Sequence, residues 1–96
     1  EMMDEVAFMT ATRFARKSFV TVSCDRIDFK KPIPADTIVE LVGRIKYVGN
    51  TSVKVNVEIF VEEMYRDVRE KAVSGDFTLV AIDENKKPSR IFKDLN

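Results

Sequence analysis

The apolar residues of this chain change their spacing once, from a helical period to alternation. Over residues 2–16 they recur at helical spacing and also fill the other sides of the middle turns, which predicts a buried helix. Asp4 and Glu5 lie in the first turns and basic residues in the last, an order that the helix dipole favours. The Asp4 carboxylate stands among apolar neighbours, where it must be paired, hydrogen-bonded or used in chemistry.

From Ser18 onward the alternation predicts strands. In the first strand Val20, Val22 and Cys24 share one side, and the apolar pattern then changes parity, which predicts a β-bulge near residues 25–26. We interpret Cys24 as a small core residue rather than a nucleophile, since it shares the parity of the two valines.

Three more strands are predicted over residues 37–48, 51–63 and 72–83. The third strand has apolar odd positions and mostly polar even positions, which is typical of an antiparallel strand with one wet face. The last strand is expected to point Phe77, Leu79 and Ala81 inward. In the second strand the inward positions are Val39, Leu41, Ile45 and Tyr47, interrupted by Gly43, where a backbone or ligand can approach closely.

The segments between the strands contain turn-forming residues. Residues 30–36 hold two prolines and predict a loop, Gly49 and Asn50 predict a turn, and the charged residues 65–70 predict a hairpin connection. One helix and four mainly antiparallel strands predict an α+β fold. A strand at the edge of such a sheet stays open unless another subunit covers it.

Composition excludes several function classes. The chain of 96 residues predicts a single domain, and its formal net charge of zero argues against binding nucleic acid. The sequence has one cysteine and no histidine, which excludes an internal disulfide, a histidine base and a cysteine- or histidine-rich metal site. Without an apolar run long enough to span a bilayer, the expected location is cytoplasmic.

Several segments, in this order, resemble the acyl-CoA thioesterases (acyl-CoA hydrolases) of the hotdog fold. The matching segments are Met3-Asp4-Glu5-Val6-Ala7, Val20-Thr21-Val22, Ile27-Asp28-Phe29 with Pro32-Ile33, Val48-Gly49-Asn50-Thr51-Ser52, Phe77-Thr78-Leu79-Val80-Ala81-Ile82-Asp83, and Lys87-Pro88. The resemblance predicts one hotdog domain over residues 1–88, followed by a loose tail over 89–96.

The resemblance implies an antiparallel sheet wrapped around one long central helix. It also implies a homodimer with active sites at the subunit interface, and in some members these dimers assemble into a hexamer. The implied reaction is hydrolysis of acyl-CoA to CoA and a free acid, without a metal or other cofactor. Family members usually carry a further strand and an Asn- and Gly-containing stretch before this helix, so the first strand is expected to be missing from the chain.

By resemblance, Asp4 is the general base or the group that orients the attacking water, with direct nucleophilic attack as the less favoured alternative. Thr21 would hydrogen-bond water or Asp4, and the free N–H groups at the helix start would polarise the thioester. The CoA arm would lie at Gly49, Asn50, Thr51 and Ser52. Glu5 points elsewhere on the helix and is interpreted as structural.

Each role has a structural alternative. Asp4 could serve only the helix dipole, Thr21 only strand propensity, and Gly49-Asn50 only a turn with positive φ. The CoA phosphates would meet basic residues, which are equally explained as a solvated face: Lys30, Lys31, Arg44, Lys54, Arg66, Arg69, Lys86 and Lys87. A non-catalytic hotdog module for ligand binding or oligomerisation is the second hypothesis. A dehydratase or hydratase is disfavoured because its relatives use a histidine base.

Overall fold

A computed structural model of the chain describes residues 2–92, which form one helix and one four-stranded sheet. The elements in chain order are α1 (Met2–Ala15), β1 (Ser18–Phe29), β2 (Thr37–Val48), β3 (Ser52–Glu63) and β4 (Arg69–Ile82). All strand pairs are antiparallel and the order across the sheet is β1-β4-β3-β2, so β1 and β2 are its edges. The predicted α+β architecture is confirmed.

The core lies between α1 and the inner face of the two central strands. The alternation of β3 buries Val53, Val55 and Val57, and that of β4 buries Phe77, Leu79 and Ala81, as the sequence predicted. From the helix, Ala7 and Ala11 are fully buried against this layer. Small helical side chains at this spacing bring the helix axis close to the sheet.

Gly43 on β2 is where the helix comes closest to an edge strand. A methyl group built there would overlap Thr10 Oγ1 and lie 3.0 Å from Val6 Cγ1. The close approach predicted at this glycine is therefore confirmed, and the approaching group is α1. Gly75 on β4 has a similar role, since a methyl group there would lie 3.2 Å from Met3 Cε.

The prediction that α1 is buried on nearly every side is wrong for the single chain. Its far side leaves Met2 and Met9 58% and 59% exposed, and Phe8 and Phe14 are also exposed. The physical reason is that the sheet packs against only one side of the helix. The remaining apolar surface is available to another chain or another segment.

Bulges alter which β1 and β2 side chains face inward. The predicted bulge is confirmed by a shift in the β1–β4 register between Asp25 and Asp28, where Arg26 adopts a φ of 56°. A second shift, between Thr21 and Ser23, was not predicted.

The second β1 bulge changes the inward parity along the strand. Thr21, ahead of this bulge, faces inward opposite Leu79, so Val20 faces outward. The extra residue, Val22, then brings Cys24 to the inner face, opposite Phe77. Cys24 is exposed there and is not a core residue, contrary to expectation.

A bulge on β2, between Ile45 and Tyr47, has the same effect. It leaves Tyr47 61% exposed instead of inward, and Val48 takes its place against the core. Strict alternation gives the wrong face wherever an extra residue enters a strand.

Two predicted backbone features also differ. Within residues 2–92 no glycine has a positive φ, so Gly49 does not owe its place to a left-handed conformation. The start of the predicted loose tail is held in place, because Ser89 N donates to Ala81 O and Ile91 N donates to Asn50 O. Ile91 is buried in the core; residues 93–96 of the predicted tail lie outside the described residues.

The outer face of the sheet carries ion pairs that link β2 to β4 across β3. Lys46 Nζ lies 2.8 Å from Asp76 Oδ2, and Asn56 Nδ2 on β3 donates to the other carboxylate oxygen at 3.0 Å. Arg69 pairs with Glu40 at 2.7 Å and stacks 3.7 Å from the centre of the Phe60 ring. Within the part of the chain described, no helix is long and apolar enough to cross a membrane.

Replacing Gly43 by alanine should destabilise the protein, because the new methyl group would overlap Thr10 Oγ1. We expect the free energy of unfolding to fall by about 1–3 kcal/mol, the usual cost of overpacking. Urea unfolding measures it. Adding Thr10→Ala should recover much of the loss. Gly49→Ala serves as a milder control, since the tightest contact of its new methyl group would be the rotatable Ser52 hydroxyl at 3.0 Å. Equal stability of Gly43→Ala and the wild type would contradict the packing described here.

Asp76 should make the stability of the protein depend on pH in the acid range. Its hydrogen bonds from Lys46 and then Asn56 hold the pKa of this carboxyl below its usual value. The stabilisation is therefore present above the unfolded pKa of about 3.9 and is lost as the pH falls through the lower folded pKa. Asp76→Asn should flatten this loss in urea titrations, whereas Glu84→Gln on an exposed turn should not. If the unfolding free energy of Asp76→Asn fell with pH as steeply as that of the wild type, Asp76 would not be the source of the pH dependence.

Candidate active site

The candidate site forms where the start of α1 meets the edge strand β1. Thr21 Oγ1 donates a hydrogen bond to Asp4 Oδ1 at 2.9 Å. Asp4 is in the first turn of the helix, and Thr21 has the inward parity of the buried Phe19, two residues earlier in β1. The two residues that the resemblance named as catalytic are thus in direct contact within one chain. This hydrogen bond fixes one carboxylate oxygen and leaves the other free to accept a proton.

An apolar groove of about 850 Å³ opens beside this pair. Its walls come from the helix start, all four strands and the loop after β1: Met2, Met3, Asp4, Thr21, Cys24, Ile27, Phe29, Ile33, Val39, Ile59 and Phe77. Among these described residues, the strongly polar side chains are Asp4 and Thr21. A large apolar cleft with a few polar groups at one place is the usual form of a small-molecule site.

A second groove, of about 500 Å³, meets the same pair from the outer side of the helix. Glu5, Val6, Phe8 and Met9 line it together with Leu41 of β2. Glu5, interpreted from sequence as structural, therefore borders a groove next to Asp4. The two grooves share Met2, Asp4 and Thr21.

The sheet must curl strongly to build the larger groove. Phe29 belongs to the edge strand β1 and Val39 to the opposite edge strand β2, yet both line it. The bulge that puts Arg26 at a φ of 56° bends β1 in the same region, as bulges do. The sequence pattern predicts this bulge but does not mark Phe29, Ile33 or Val39 as site residues. The available signal was the change in apolar parity after Cys24.

Cys24 lies on the groove wall between the polar pair and its far end. Partial burial against apolar neighbours raises the pKa of the thiol, and the negative charges of Asp25, Asp4 and Asp76 raise the pKa further. The thiol is consequently a weak nucleophile at neutral pH. Among residues 2–92 no group of three or more metal-ligating side chains comes together.

The residues expected to bind the CoA arm do not lie beside Asp4 in the same chain. The segment Gly49, Asn50, Thr51 and Ser52 links β2 to β3 and lines neither groove. It is separated from β1 by β3 and β4, about 10–14 Å along the sheet at ~4.8 Å per strand.

Backbone groups in this turn already have partners. Gly49 N donates to Ser52 O at 2.7 Å, and Thr51 O and Asn50 O accept from Ala81 and Ile91 respectively. Of the basic residues considered for the CoA phosphates, Lys31, Arg66 and Arg69 form ion pairs with glutamates.

Comparison with known proteins identifies the family. The sequence model of the thioesterase superfamily matches residues 1–67, and the chain belongs to this superfamily. Protein VdlD of Helicobacter pylori is 38% identical over 88 residues, which are 92% of this chain and 50% of that protein. An uncharacterized acyl-CoA thioester hydrolase of Zymomonas mobilis is 38% identical over 90 residues, 94% of this chain and 60% of its own length. The chain thus spans about half of the curated relatives it matches.

Solved structures give the same answer for the fold. The acyl-CoA hydrolase of Bacillus cereus superimposes with a TM-score of 0.89 at 30% identity, covering 93% of this chain and 54% of that one. An acyl-CoA hydrolase of Staphylococcus aureus, solved with butyryl-CoA, gives 0.87 at 34% identity, with coverages of 93% and 54%. A hexameric thioesterase of Yersinia pestis gives 0.86 at 28% identity, with coverages of 96% and 76%. The predicted family and hotdog fold are confirmed.

The Cys24 thiol should react slowly with iodoacetamide at about pH 8, since its raised pKa leaves less thiolate than a free cysteine with a pKa of about 8.5. The rate should keep rising above that pH. Asp4→Asn removes one of the negative charges that raise the pKa and should speed alkylation, whereas Glu5→Gln should leave the rate unchanged. Alkylation as fast as that of a free cysteine would disprove this description.

Proposed function

We propose that this chain forms an acyl-CoA thioesterase, hydrolysing the thioester to CoA and a free carboxylic acid. The observation that carries the proposal is the hydrogen-bonded pair of Asp4 and Thr21 at the mouth of a large apolar groove. A carboxylate that can take a proton from water suits thioester hydrolysis, and an apolar groove suits the acyl part of the substrate. Relatives of the same superfamily are described as acyl-CoA thioester hydrolases, which supports the same reaction here.

In the proposed mechanism Asp4 is the general base. The carboxylate oxygen that does not bind Thr21 accepts a proton from a water molecule, whose oxygen attacks the carbonyl carbon of the thioester. The negative charge on the carbonyl oxygen is stabilised by free N–H groups at the start of α1 and by the helix dipole. Collapse of the tetrahedral intermediate breaks the C–S bond, and the leaving CoA thiolate takes the proton held by the Asp4 carboxyl, which regenerates the carboxylate.

Thr21 has a positioning role in this scheme. Its hydroxyl holds Asp4 Oδ1, so that the free oxygen keeps a fixed direction toward the groove mouth. Such positioning contributes to catalysis because the base and the attacking water are already oriented before the reaction, which lowers the entropic cost of reaching the transition state.

We further propose that the working site is shared by two chains. In one chain Gly49, Asn50, Thr51 and Ser52 lie across the sheet from Asp4 and line neither groove, so we assign them to the substrate bound by a second subunit. The exposed apolar side of α1 and the open sheet edges favour such pairing. Assembly of such dimers into a hexamer belongs to the same proposal and is supported by the hexameric state of the Yersinia pestis thioesterase. So does a cytoplasmic location.

The decisive experiment follows thiol release from a panel of acyl-CoAs by the full-length protein and its variants. Asp4→Asn should lower kcat about 10²–10⁴-fold, the usual contribution of a general base, while circular dichroism and solution size stay unchanged. Thr21→Val should cost roughly 10- to 100-fold, the worth of one hydrogen bond to a charged carboxylate, and Thr21→Ser should retain most activity.

Glu5→Gln is the matched control, since it removes a neighbouring carboxylate that borders only the second groove. Normal turnover by Asp4→Asn would remove this residue from the mechanism. No thiol release by the wild type with any acyl-CoA would instead favour a non-catalytic binding module. A monomer in solution would rule out the shared site.

A further inference from the structure

The larger groove has the dimensions of a long hydrocarbon chain, an inference that rests on the proposed function and deepens it. The groove runs from Asp4 and Thr21 past Cys24 and Ile27 to Phe29. Thr21 pairs with Leu79 and Phe29 with Val73, so its two ends are six residues apart on β4. At about 3.3 Å per residue this is a path of roughly 20 Å.

A path of this length matches a fatty acyl chain. Carbon–carbon bonds of about 1.5 Å in an extended zigzag advance ~1.25 Å each, so the path holds roughly sixteen carbons. The far end is built from large apolar side chains that water reaches freely, with Phe29 79% exposed, and Ile27, Ile33 and Val39 each at least 40% exposed. Contiguous exposed apolar surface of this kind marks a binding site rather than ordinary surface.

The chemistry of the walls argues against a substrate with a polar tail. Beyond Thr21 the described residues that line the groove are aliphatic, aromatic or sulfur-containing, so a hydroxyl or carboxylate on the tail would lose its water without gaining a partner. We propose that the preferred substrates are long, unbranched acyl-CoAs of about the length of myristoyl and palmitoyl, and that the β1 segment from Cys24 to Phe29 sets this preference.

Cys24 is the position at which the groove can be shortened. It pairs with Phe77, two residues along β4 from Leu79, so it lies about 7 Å from the polar pair, roughly the length of a six-carbon acyl chain and beyond the end of a butyryl group. Cys24→Trp should therefore block the path beyond a short acyl group. Phe29→Asp should instead place a charge at the far end and affect only the longest chains.

The first test measures binding and does not depend on hydrolysis. Isothermal titration of the full-length protein with S-alkyl thioether analogues of CoA should show affinity rising by about fourfold per methylene, as each becomes buried, up to tetradecyl or hexadecyl. Affinity that does not change with chain length would overturn the inference and indicate that another protein chain covers the groove. Because the analogues contain no thioester, this result stands whether or not Asp4 is catalytic.

The second test compares kcat/KM for butyryl-CoA and myristoyl-CoA. Cys24→Trp should lower kcat/KM for myristoyl-CoA by about 100-fold or more and leave the value for butyryl-CoA nearly unchanged. The indole ring would prevent most methylenes of the myristoyl chain from being buried in the groove, whereas a butyryl group ends before it. Val20→Trp on the outer face of the same strand is the matched control and should change neither. Phe29→Asp, a substitution at an exposed position, provides a second variant should Cys24→Trp not fold. Equal effects on both substrates would refute the assignment of this segment.

Discussion

The close contact between α1 and the sheet is the constraint on which the rest of the structure depends. Glycines at positions 43 and 75 let the helix approach the edge and centre of the sheet more closely than any side chain would allow. Ala7 and Ala11 complete this contact from the helix side. With the helix held at this depth, its first turn lies against β1, and Asp4 comes within hydrogen-bonding distance of Thr21. If the helix packed farther from the sheet, Asp4 and Thr21 would be too far apart to form this hydrogen bond.

Two bulges in β1 then decide what the site contains. The one at Val22 lets Thr21 and Cys24, three residues apart, share the face toward the helix, and the one at Arg26 bends the strand so that Phe29 joins the groove wall. Bulges next to binding sites commonly redirect side chains in this way. The polar pair and the apolar groove thus arise from one irregular strand packed beside a regular core.

The sequence predicted the regular elements well and the irregular ones only in part. Apolar alternation gave β2 its bounds and the buried faces of β3 and β4, because those strands face a single core. It assigned the wrong face to Val20, Val22 and Tyr47, because the sequence gives no clear signal for an extra residue in a strand where polar and apolar residues are mixed. The Asp4–Thr21 contact came from family resemblance, since no local pattern brings residues from a helix and a strand together. The exposure of α1 could not be foreseen from amphipathicity, which does not say which chain covers a face.

The outer-face ion pairs have a consequence for the open edge of the sheet. Lys46 and Glu40 of β2 are both anchored on β4, so the edge strand is tied to a strand that is not its neighbour. Detaching β2 would break side-chain links as well as its hydrogen bonds to β3, which favours joint opening of three strands over fraying of one. An edge that resists peeling presents fewer free backbone groups to nascent or partly folded chains. The tethers therefore act against strand exchange and aggregation while leaving orderly pairing of folded subunits possible.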